Sequence, residues 1–321
     1  MISIIIPVLN AENYIRDCIT SIVDQDFPKD QYEIIIIDNG SKDNTYNVIM
    51  DIIHNGNVDN RIIITREPKK GAYMARNTGI KISKGDIIAF TDADCITDKN
   101  WLKELYKGFN PNNVGCVVGL INPYNGNTIV EIYSKNKEVL SQKQTLVSKF
   151  LPYGQTANVA YRKDVFDKIG LFDFEMMTGG DADIAWRMQI YTDYKLVYES
   201  KAIVEHRHRT SFKGFFKQQF RYGFGRILLY KKYHDRMVKV NIDNTSNNVK
   251  HNHVDIMKIM MKLMLTLNLF YIRSFKRLFG LCDRYQLYEP LLYFIYMSGF
   301  ALGEIYGWIK LRTIFNTDKI E

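Results

Sequence analysis

Gly85-Asp86-Ile87-Ile88-Ala89-Phe90-Thr91-Asp92-Ala93-Asp94 is the stretch that decides the fold. Its first half is a continuous apolar run led by a glycine and ended by polar residues, the pattern of a parallel strand buried on both faces. Its second half sets two carboxylates, Asp92 and Asp94, where that strand ends. Residues two apart on a strand share a face, so both side chains are expected to aim at one point beyond the sheet edge. Ligands of open parallel sheets bind outside the carboxyl ends of the strands. Two hard oxygen donors there suit Mg²⁺ or Mn²⁺, which keep some waters and bridge substrate phosphates. Asp-x-Asp also occurs in exposed acidic turns that bind nothing, so the sequence around it has to decide.

Outward from this stretch the chain alternates strands with helices. Ile2–Val8 reads as a strand of β-branched residues stopped by Pro7. Residues 11–25 follow as a helix with Tyr14, Cys18 or Ile19, Ile22 and Val23 on one face and Asn10 as its cap. Residues 33–37 make a second strand, ending in the turn composition Asp38-Asn39-Gly40-Ser41. Asn44 is expected to cap a helix to about residue 53, and residues 61–65 to form a third strand. In the helix expected over 71–83, Ala72, Ala75, Gly79 and Ile82 are spaced to pack on a sheet. Such alternation means βαβ units and an α/β fold with a doubly wound, mostly parallel sheet. Farther on, 114–121 is another apolar strand and 128–150 a long mixed helical stretch. Residues 156–162 read as a strand that opens a helix over Lys163–Ile169, stopped by Gly170.

Composition narrows the function classes. A Gly-x-Gly-x-x-Gly loop after the first strand is absent, as is a Walker loop, which excludes the usual dinucleotide-dependent dehydrogenases and P-loop enzymes. Cys18, Cys95, Cys116 and Cys282 are scattered, so their spacing indicates neither a zinc site nor a disulfide framework, and a reducing cytosol is expected. Residues 1–7 are apolar but lack the basic leader and the length of a signal peptide. At 321 residues, 46% of them apolar, the chain can bury a large core. The net charge of +8 is uneven: residues 206–321 carry 20 Lys and Arg against 8 Asp and Glu, and the rest is net acidic. Basic, aromatic-rich surface suits anionic lipid, a phosphorylated substrate or nucleic acid.

The strand ends carry the candidate chemistry. Pro7, Asp38 and the pair Asp92 and Asp94 close strands that a parallel sheet places on one edge. Asp38 suits either of two roles: accepting from the imide N–H of uracil or a similar base edge, or capping its own turn through the following amides. Arg76, on the helix between the third and fourth strands, is placed to reach a diphosphate, although a helical Arg is commonly just solvated. In Gly179-Gly180-Asp181-Ala182-Asp183 both carboxylates fall in a first helical turn, where the helix dipole favours them. Asp181 is there either an N-cap or a general base presented beneath a glycine-rich loop.

Five segments, taken together, resemble the inverting family 2 glycosyltransferases of the glycosyltransferase A-type fold. They are Ile4-Ile5-Ile6-Pro7-Val8-Leu9-Asn10-Ala11-Glu12, Ile37-Asp38-Asn39-Gly40-Ser41-Lys42-Asp43, Gly71-Ala72-Tyr73-Met74-Ala75-Arg76-Asn77-Thr78-Gly79, Phe90-Thr91-Asp92-Ala93-Asp94 and Gly180-Asp181-Ala182-Asp183. Each is unspecific alone; their order and spacing are not. The resemblance implies a nucleotide-sugar donor and a Mn²⁺ or Mg²⁺ ion. Pro7 and Asp38 would line the nucleobase pocket, and Arg76 would lie near the ribose or diphosphate. Asp92 would contact the ribose or the metal's shell, with Ala93 beside it at the same ligand, and Asp94 would bind the cation. Asp181 would be the catalytic base, taking the proton from an acceptor hydroxyl as it attacks the anomeric carbon. In related enzymes a histidine after the last core strand completes the metal site and nearby arginines hold the diphosphate. Here Glu205-His206-Arg207-His208-Arg209-Thr210 offers His206, with His208 behind it, and Arg207; a solvated basic turn is the plainer alternative. Two departures matter. Gly180 stands where the family often has Glu, which leaves the base to Asp181 alone. The Gln-x-x-Arg-Trp motif of processive synthases is missing, so transfer of a single sugar is expected.

The implied organisation is a catalytic domain over 1–225, its nucleotide-sugar half ending near 120, followed by a basic helical region over 226–321. Aromatic and basic residues interleave over 212–233, as on the family's acceptor side. That pattern also suits single-stranded nucleic acid, but the acidic N-terminal half offers nucleotide-sugar chemistry instead, so no nucleic-acid partner is expected. Residues 241–253 read as a polar linker, and the apolar run within the helix expected over 256–272 is too short to span a membrane. Residues 291–309 are apolar apart from Ser298 and Glu304. Gly299, Gly303 and Gly307 leave one helix face smooth for a close partner, and Glu304 beside it argues against a lone span. The expectation is a helical hairpin packed on the domain and touching the inner face of the cell membrane. UDP-sugars are the expected donors, with guanine nucleotides open, and a glycan, a lipid-linked glycan or a polyprenyl phosphate the expected acceptor. A nucleotidyltransferase would share the sheet and metal but lacks support from a Gly-rich basic loop after the first strand; a non-catalytic nucleotide-sugar binder is the third class.

Overall fold

The computed structural model describes residues 1–55, 61–244, 269, 272, 273, 276, 277 and 283–317, without the side chains of 55, 238–244 and 312–317. The chain divides into two compact units, one of residues 1–124 and 140–207, the other of residues 125–139 and 208–321.

The first unit holds an eight-stranded sheet. Its strands are β1 (Ile2–Val8), β2 (Tyr32–Asp38), β3 (Ile62–Arg66), β4 (Ile87–Phe90), β5 (Cys95–Thr97), β6 (Val114–Pro123), β7 (Val159–Arg162) and β8 (Lys195–His206), in the spatial order β3-β2-β1-β4-β7-β6-β8-β5. β1 pairs in parallel with β2 and β4, β2 with β3, and β6 with β8, while β7 runs against β4 and β6 and β5 runs against β8. The sheet is thus mostly parallel, as expected. The isoleucine runs explain its centre: Ile4, Ile5, Ile6 and Ile34, Ile35, Ile36, Ile37 are all 0% exposed, which only strands covered on both faces allow. From β1 the chain winds outward to β3 and then returns across β1 to β4, so the strand order reverses between β1 and β4. Such a reversal opens a crevice at the carboxyl ends of the strands, and the strand-end residues singled out above border it.

The first helices are α1 (Ile15–Val23), α2 (Thr45–Asn55), α3 (Ala72–Ile82) and α4 (Trp101–Gly108). α1 is shorter than expected, and Asn10 does not cap it: Asn10 sits at φ 51° and its Oδ1 accepts from the Lys42 amide at 2.9 Å, tying the end of β1 to the turn after β2. α3 packs through Gly79, where a Cβ would come within 2.7 Å of Ile5 and 2.9 Å of Ile37. Ala72 and Ile82, expected on that face, are exposed, and Arg76 and Ile80 are buried instead. The helix is rolled so that the long side chain of Arg76 enters the crevice. α4 and β5 had no sequence signal; both are short and mix polar with apolar residues. Trp101 of α4 donates its Nε1–H to Asn158, whose Nδ2 bonds the Leu120 and Ala202 carbonyls at 2.8 Å. One buried amide thus stitches the β6, β7 and β8 region together.

The long helical stretch expected over 128–150 is two helices, α5 (Ile129–Asn136) and α6 (Gln142–Leu146). Thr128 and Glu131 form a capping box on α5, and Glu138 and Leu140 take positive φ between the helices. The division between the two units falls at this break. α7 (Lys163–Ile169) ends as expected at Gly170, with φ +79°, and α8 (Gly180–Tyr191) follows.

In the second unit α9 (Phe212–Asn244) packs against α10 (Arg284–Thr317). The glycines of 299–307 make the contact, as their spacing implied. A Cβ on Gly303 would lie 2.0 Å from the Phe220 carbonyl oxygen, and one on Gly223 1.9 Å from that of Phe300. Contacts run from Phe216 with Gly299 to Ile227 with Gly307, so the two helices are parallel. The segment 256–272, expected as the other arm, lies almost wholly outside the described residues, as does most of the polar stretch 241–253. Glu304 is 5% exposed and paired with Arg226 at 2.9 Å. Among the described residues, no helix is long and apolar enough to cross a membrane. Gly303→Val would drive a branched side chain into backbone and is expected to cost at least about 2 kcal/mol of stability. Leu302→Ala, on the open side of the same turn, should stay within about 0.5 kcal/mol; urea unfolding of the two variants provides the comparison.

Candidate functional site

Two loops bring the crevice residues together. After β2, the Asn39 side chain accepts from the Gly71 amide at 2.8 Å and donates to the Glu67 and Lys69 carbonyls. Glu67 in turn accepts from Thr78 and from the Lys69 amide, bonds that hold its carboxyl below the usual range. Gly71, at φ +137°, then turns the chain into α3 where a side chain would be strained. This network fixes the start of α3, and with it Tyr73 and Arg76. Neither Asn39 nor Glu67 carried a sequence signal beyond turn composition.

Arg76 is 4% exposed, and its Nη2 meets Asp92 Oδ1 at 2.5 Å. Its guanidinium also lies 5.6 Å over the Tyr73 ring, while its Nε is buried without a hydrogen-bond partner. Asp92 and Asp94 were expected to share a strand face. Instead β4 ends at Phe90, and both sit in the turn before β5, where the Cys95 amide bonds the Asp92 carbonyl at 3.0 Å. The turn sends them to different partners: Asp92 to Arg76, and Asp94 to His206, with Nε2 3.4 Å from Asp94 Oδ1. Ala93, between them, is buried. His206 ends β8 opposite Cys95, and one ligand atom each from Asp94, Cys95 and His206 lie within 4.8 Å of one another. Carboxylate, thiol and imidazole fit a divalent cation. Cys95 was not foreseen, because His206, which it faces, is distant in sequence.

Arg207 is held by Asp17 at 2.6 Å, and its guanidinium lies 3.9 Å over the Tyr124 ring and 5.8 Å over that of Tyr14. Its amide bonds the Asp94 carbonyl at 3.0 Å. His208 belongs to the second unit. Asp38 takes the capping role through Oδ1, which accepts from the Ser41 amide at 2.9 Å, while Oδ2 is buried without a hydrogen-bond partner, 3.5 Å from Arg66 Nε. Pro7 sits beside Ile37 in the β1–β2 register, one residue before the pair Val8 and Asp38.

Asp181 is not an N-cap. Gly179, at φ 87°, holds the cap position of α8, and Asp181 lies inside the first turn. Its carboxylate accepts from Tyr73 Oη at 3.1 Å, from the Thr156 amide at 3.2 Å and from Thr156 Oγ1 at 3.3 Å. Burial raises its pKa; Arg76 and the Thr156 amide pull the other way. Tyr73 Oη also accepts from the Gly180 amide at 2.9 Å, and its ring stacks on Phe172 at 5.4 Å. A Cβ on residue 180 would lie 2.7 Å from that ring, so Gly180, the departure from the Glu-Asp pattern, is required by Tyr73. Asp183 braces the fold instead: it holds Arg187, which clips the Ile169, Gly170 and Leu171 carbonyls after α7.

The mostly parallel sheet thus gathers carboxylates at its switch point, linked through Arg76 and Tyr73 to the Asp181 carboxylate at a helix start. Among solved structures the fold is similar to the mannosyltransferase PcManGT of Pyrobaculum calidifontis in complex with GDP-Man and Mn²⁺, with TM-score 0.64, 15% identity and coverage of 95% of this chain and 87% of that one. It is also similar to S. aureus TarS in complex with UDP, with TM-score 0.51, 17% identity and coverage of 94% and 90%. The sequence matches Glycosyl transferase family 2 over residues 3–170 and Glycosyl transferase family group 2 over 87–309. It is 33% identical to glycosyltransferase AglE of Haloferax volcanii over 233 residues, 71% of this chain and 74% of that protein. It is 32% identical over 245 residues, 72% of this chain and 74% of the relative, to the dolichyl N-acetyl-alpha-D-glucosaminyl phosphate 3-beta-D-2,3-diacetamido-2,3-dideoxy-beta-D-glucuronosyltransferase of Methanococcus voltae. The chain belongs to glycosyltransferase family 2.

Proposed function

We propose that this glycosyltransferase is a divalent-metal-dependent inverting enzyme that moves one sugar from a nucleotide-sugar, preferably a UDP-sugar, to a hydroxyl or phosphate of a glycan or lipid-linked acceptor. The observation that carries this is the linkage of Asp92 to Arg76, Arg76 to Tyr73 and Tyr73 to Asp181, which ties the acidic turn to the carboxylate at the start of α8. Asp181 is the base: it takes the proton from the acceptor as that oxygen bonds the anomeric carbon and the bond to the nucleotide diphosphate breaks on the opposite face. Arg76, its Nε buried and unpartnered, and Arg207 face the diphosphate. Pro7 and Asp38 take the base, with Asp38 Oδ2 left to accept an imide N–H. Asp92 and Ala93 border the ribose. Asp94 and His206 would hold the cation, which when bound would supply positive charge to offset that of the diphosphate leaving group.

The acceptor side of the proposal rests on charge and on kinship. The basic second unit suits an anionic or lipid-linked acceptor, and the Methanococcus voltae relative is named for a dolichyl phosphate-linked one. Leu302, Ile305, Tyr306, Trp308 and Ile309 form an exposed stripe on α10, followed by Lys310, suited to lying at the inner face of a membrane. Calorimetric titration with UDP and GDP, each with Mn²⁺ and with chelator, followed by a transfer screen of the matching nucleotide-sugars, tests the donor. Metal-dependent UDP binding is expected; a folded protein that binds neither nucleotide would refute it.

Tyr73 makes a sharper test of the base. An ionised Asp181 is needed, and burial holds its pKa above the usual carboxylate value of about 3.9. Transfer should therefore fail on the acid side at a pH above that value. Tyr73→Phe removes a donor to the ionised form, so the acid limb of kcat should move to higher pH with little change in donor KM. A purely structural role for Tyr73 would lower stability and leave the limb in place.

A further inference from the structure

We propose that the cation site of this chain takes a borderline-soft divalent ion, Zn²⁺, Co²⁺ or Cd²⁺, through Cys95 as a third protein donor beside Asp94 and His206. This rests on the metal reading of Asp94 and His206 given above and adds a ligand and a metal class to it. The antiparallel register sets Cys95 directly opposite His206, so their side chains leave the sheet on the same face. Asp94 precedes Cys95, and its carbonyl accepts from the Arg207 amide at 3.0 Å, which fastens the turn to the end of β8 on both sides. Cys95 is 1% and His206 5% exposed, whereas the Asp94 side chain, at 17%, turns toward solvent. The donors are therefore arranged with sulfur and nitrogen inside and the carboxylate at the mouth.

The three ligand atoms lie within 4.8 Å of one another. Zinc bonds of about 2.0–2.3 Å in tetrahedral geometry bring donors to roughly 3.5 Å apart, a closure that side-chain rotation supplies. Ligand chemistry separates two modes of use. A hard ion such as Mg²⁺ prefers oxygen and leaves the thiol protonated beside it. A softer ion recruits the sulfur, the thiol proton passing to solvent as the metal–sulfur bond forms. Three protein donors then leave a four-coordinate ion a single open position, where a hard octahedral ion keeps several for the diphosphate. Zinc should accordingly bind more tightly than Mn²⁺ and displace it.

The test is titration of the metal-free full-length protein with Co²⁺, reading the thiolate-to-cobalt charge-transfer band, and with Mn²⁺, reading free ion by electron paramagnetic resonance. Wild type should give the band, and Zn²⁺ should abolish it and release bound Mn²⁺. Cys95→Ser should lose the band and weaken Zn²⁺ by more than about a hundredfold, since loss of an outer-sphere partner alone costs up to that much, while Mn²⁺ binding persists. Cys18→Ser is the control, because that thiol lies 3.5 Å from the Asp92 carbonyl oxygen in the same region; it should keep the band. Mn²⁺ binding with no cobalt–thiolate band in wild type, or a band lost in Cys18→Ser and kept in Cys95→Ser, would overturn the proposal and spare the metal reading. Failure of wild type to bind either ion would overturn both.

Discussion

Asp181→Asn is expected to lower kcat for sugar transfer by about 10²- to 10⁴-fold, the range over which a positioned base contributes, or about 3–5 kcal/mol of barrier. The substitution keeps the shape of the side chain and removes its capacity to take a proton. Binding of nucleotide with metal should be unchanged, because Asp181 reaches the acidic turn only through Tyr73 and Arg76. Stability supplies the control. The folded pKa of Asp181 is raised by burial, so between the unfolded and folded values the native state binds more protons than the unfolded one. Stability from this group is therefore present at low pH and lost as pH rises through that window. An amide, neutral throughout, escapes the loss, and the variant should melt no lower than wild type at neutral pH. A variant that is stable, binds nucleotide and still transfers sugar at the normal rate would remove Asp181 from the chemistry.

Asp94→Ala should abolish metal-dependent nucleotide binding, with a loss of at least about a hundredfold in affinity, exceeding that of an outer-sphere change. Calorimetry with and without chelator reads it: the variant should show the weak, metal-independent binding that wild type shows only in chelator. The choice of Asp94 over Asp92 is physical. Asp92 holds Arg76, which is 4% exposed, and removing one member of a buried pair strands the other charge at a cost of about 3–5 kcal/mol. An Asp92 variant would confound binding with unfolding. Asp94 is paired with His206 at 3.4 Å and partly open to solvent, and the bond from the Arg207 amide is to its backbone, which alanine keeps. Retention of metal-dependent binding in Asp94→Ala would exclude it as the cation's carboxylate.

Local pattern carried much of the fold. β1 follows its β-branched run, α7 is delimited by its opening after β7 and its stop at Gly170, and the glycine stripe of α10 foretold a close helix neighbour. Each depends on residues within a few positions of one another, so the sequence displays them directly. Where expectation failed, a distant partner had intervened. Asn10 left its cap to bond the Lys42 amide, α3 rolled to bury Arg76, and residues 128–150 broke where the chain passes between units.

The sequence by itself determined the class of fold, because strand period and helix period are local properties, and its resemblance to family 2 marked Asp38, Arg76, Asp92, Asp94, Asp181 and His206 as candidates. Only the tertiary structure decided how those groups are shared out. It parted Asp92 from Asp94 by a turn, set Cys95 against His206 through a three-residue edge strand, and put Tyr73 between Gly180 and Asp181 from 107 and 108 residues away. Such pairings arise from the antiparallel pairing of β5 with β8 and the docking of α3 against α8, and contacts made at that separation leave no period in the chain to read.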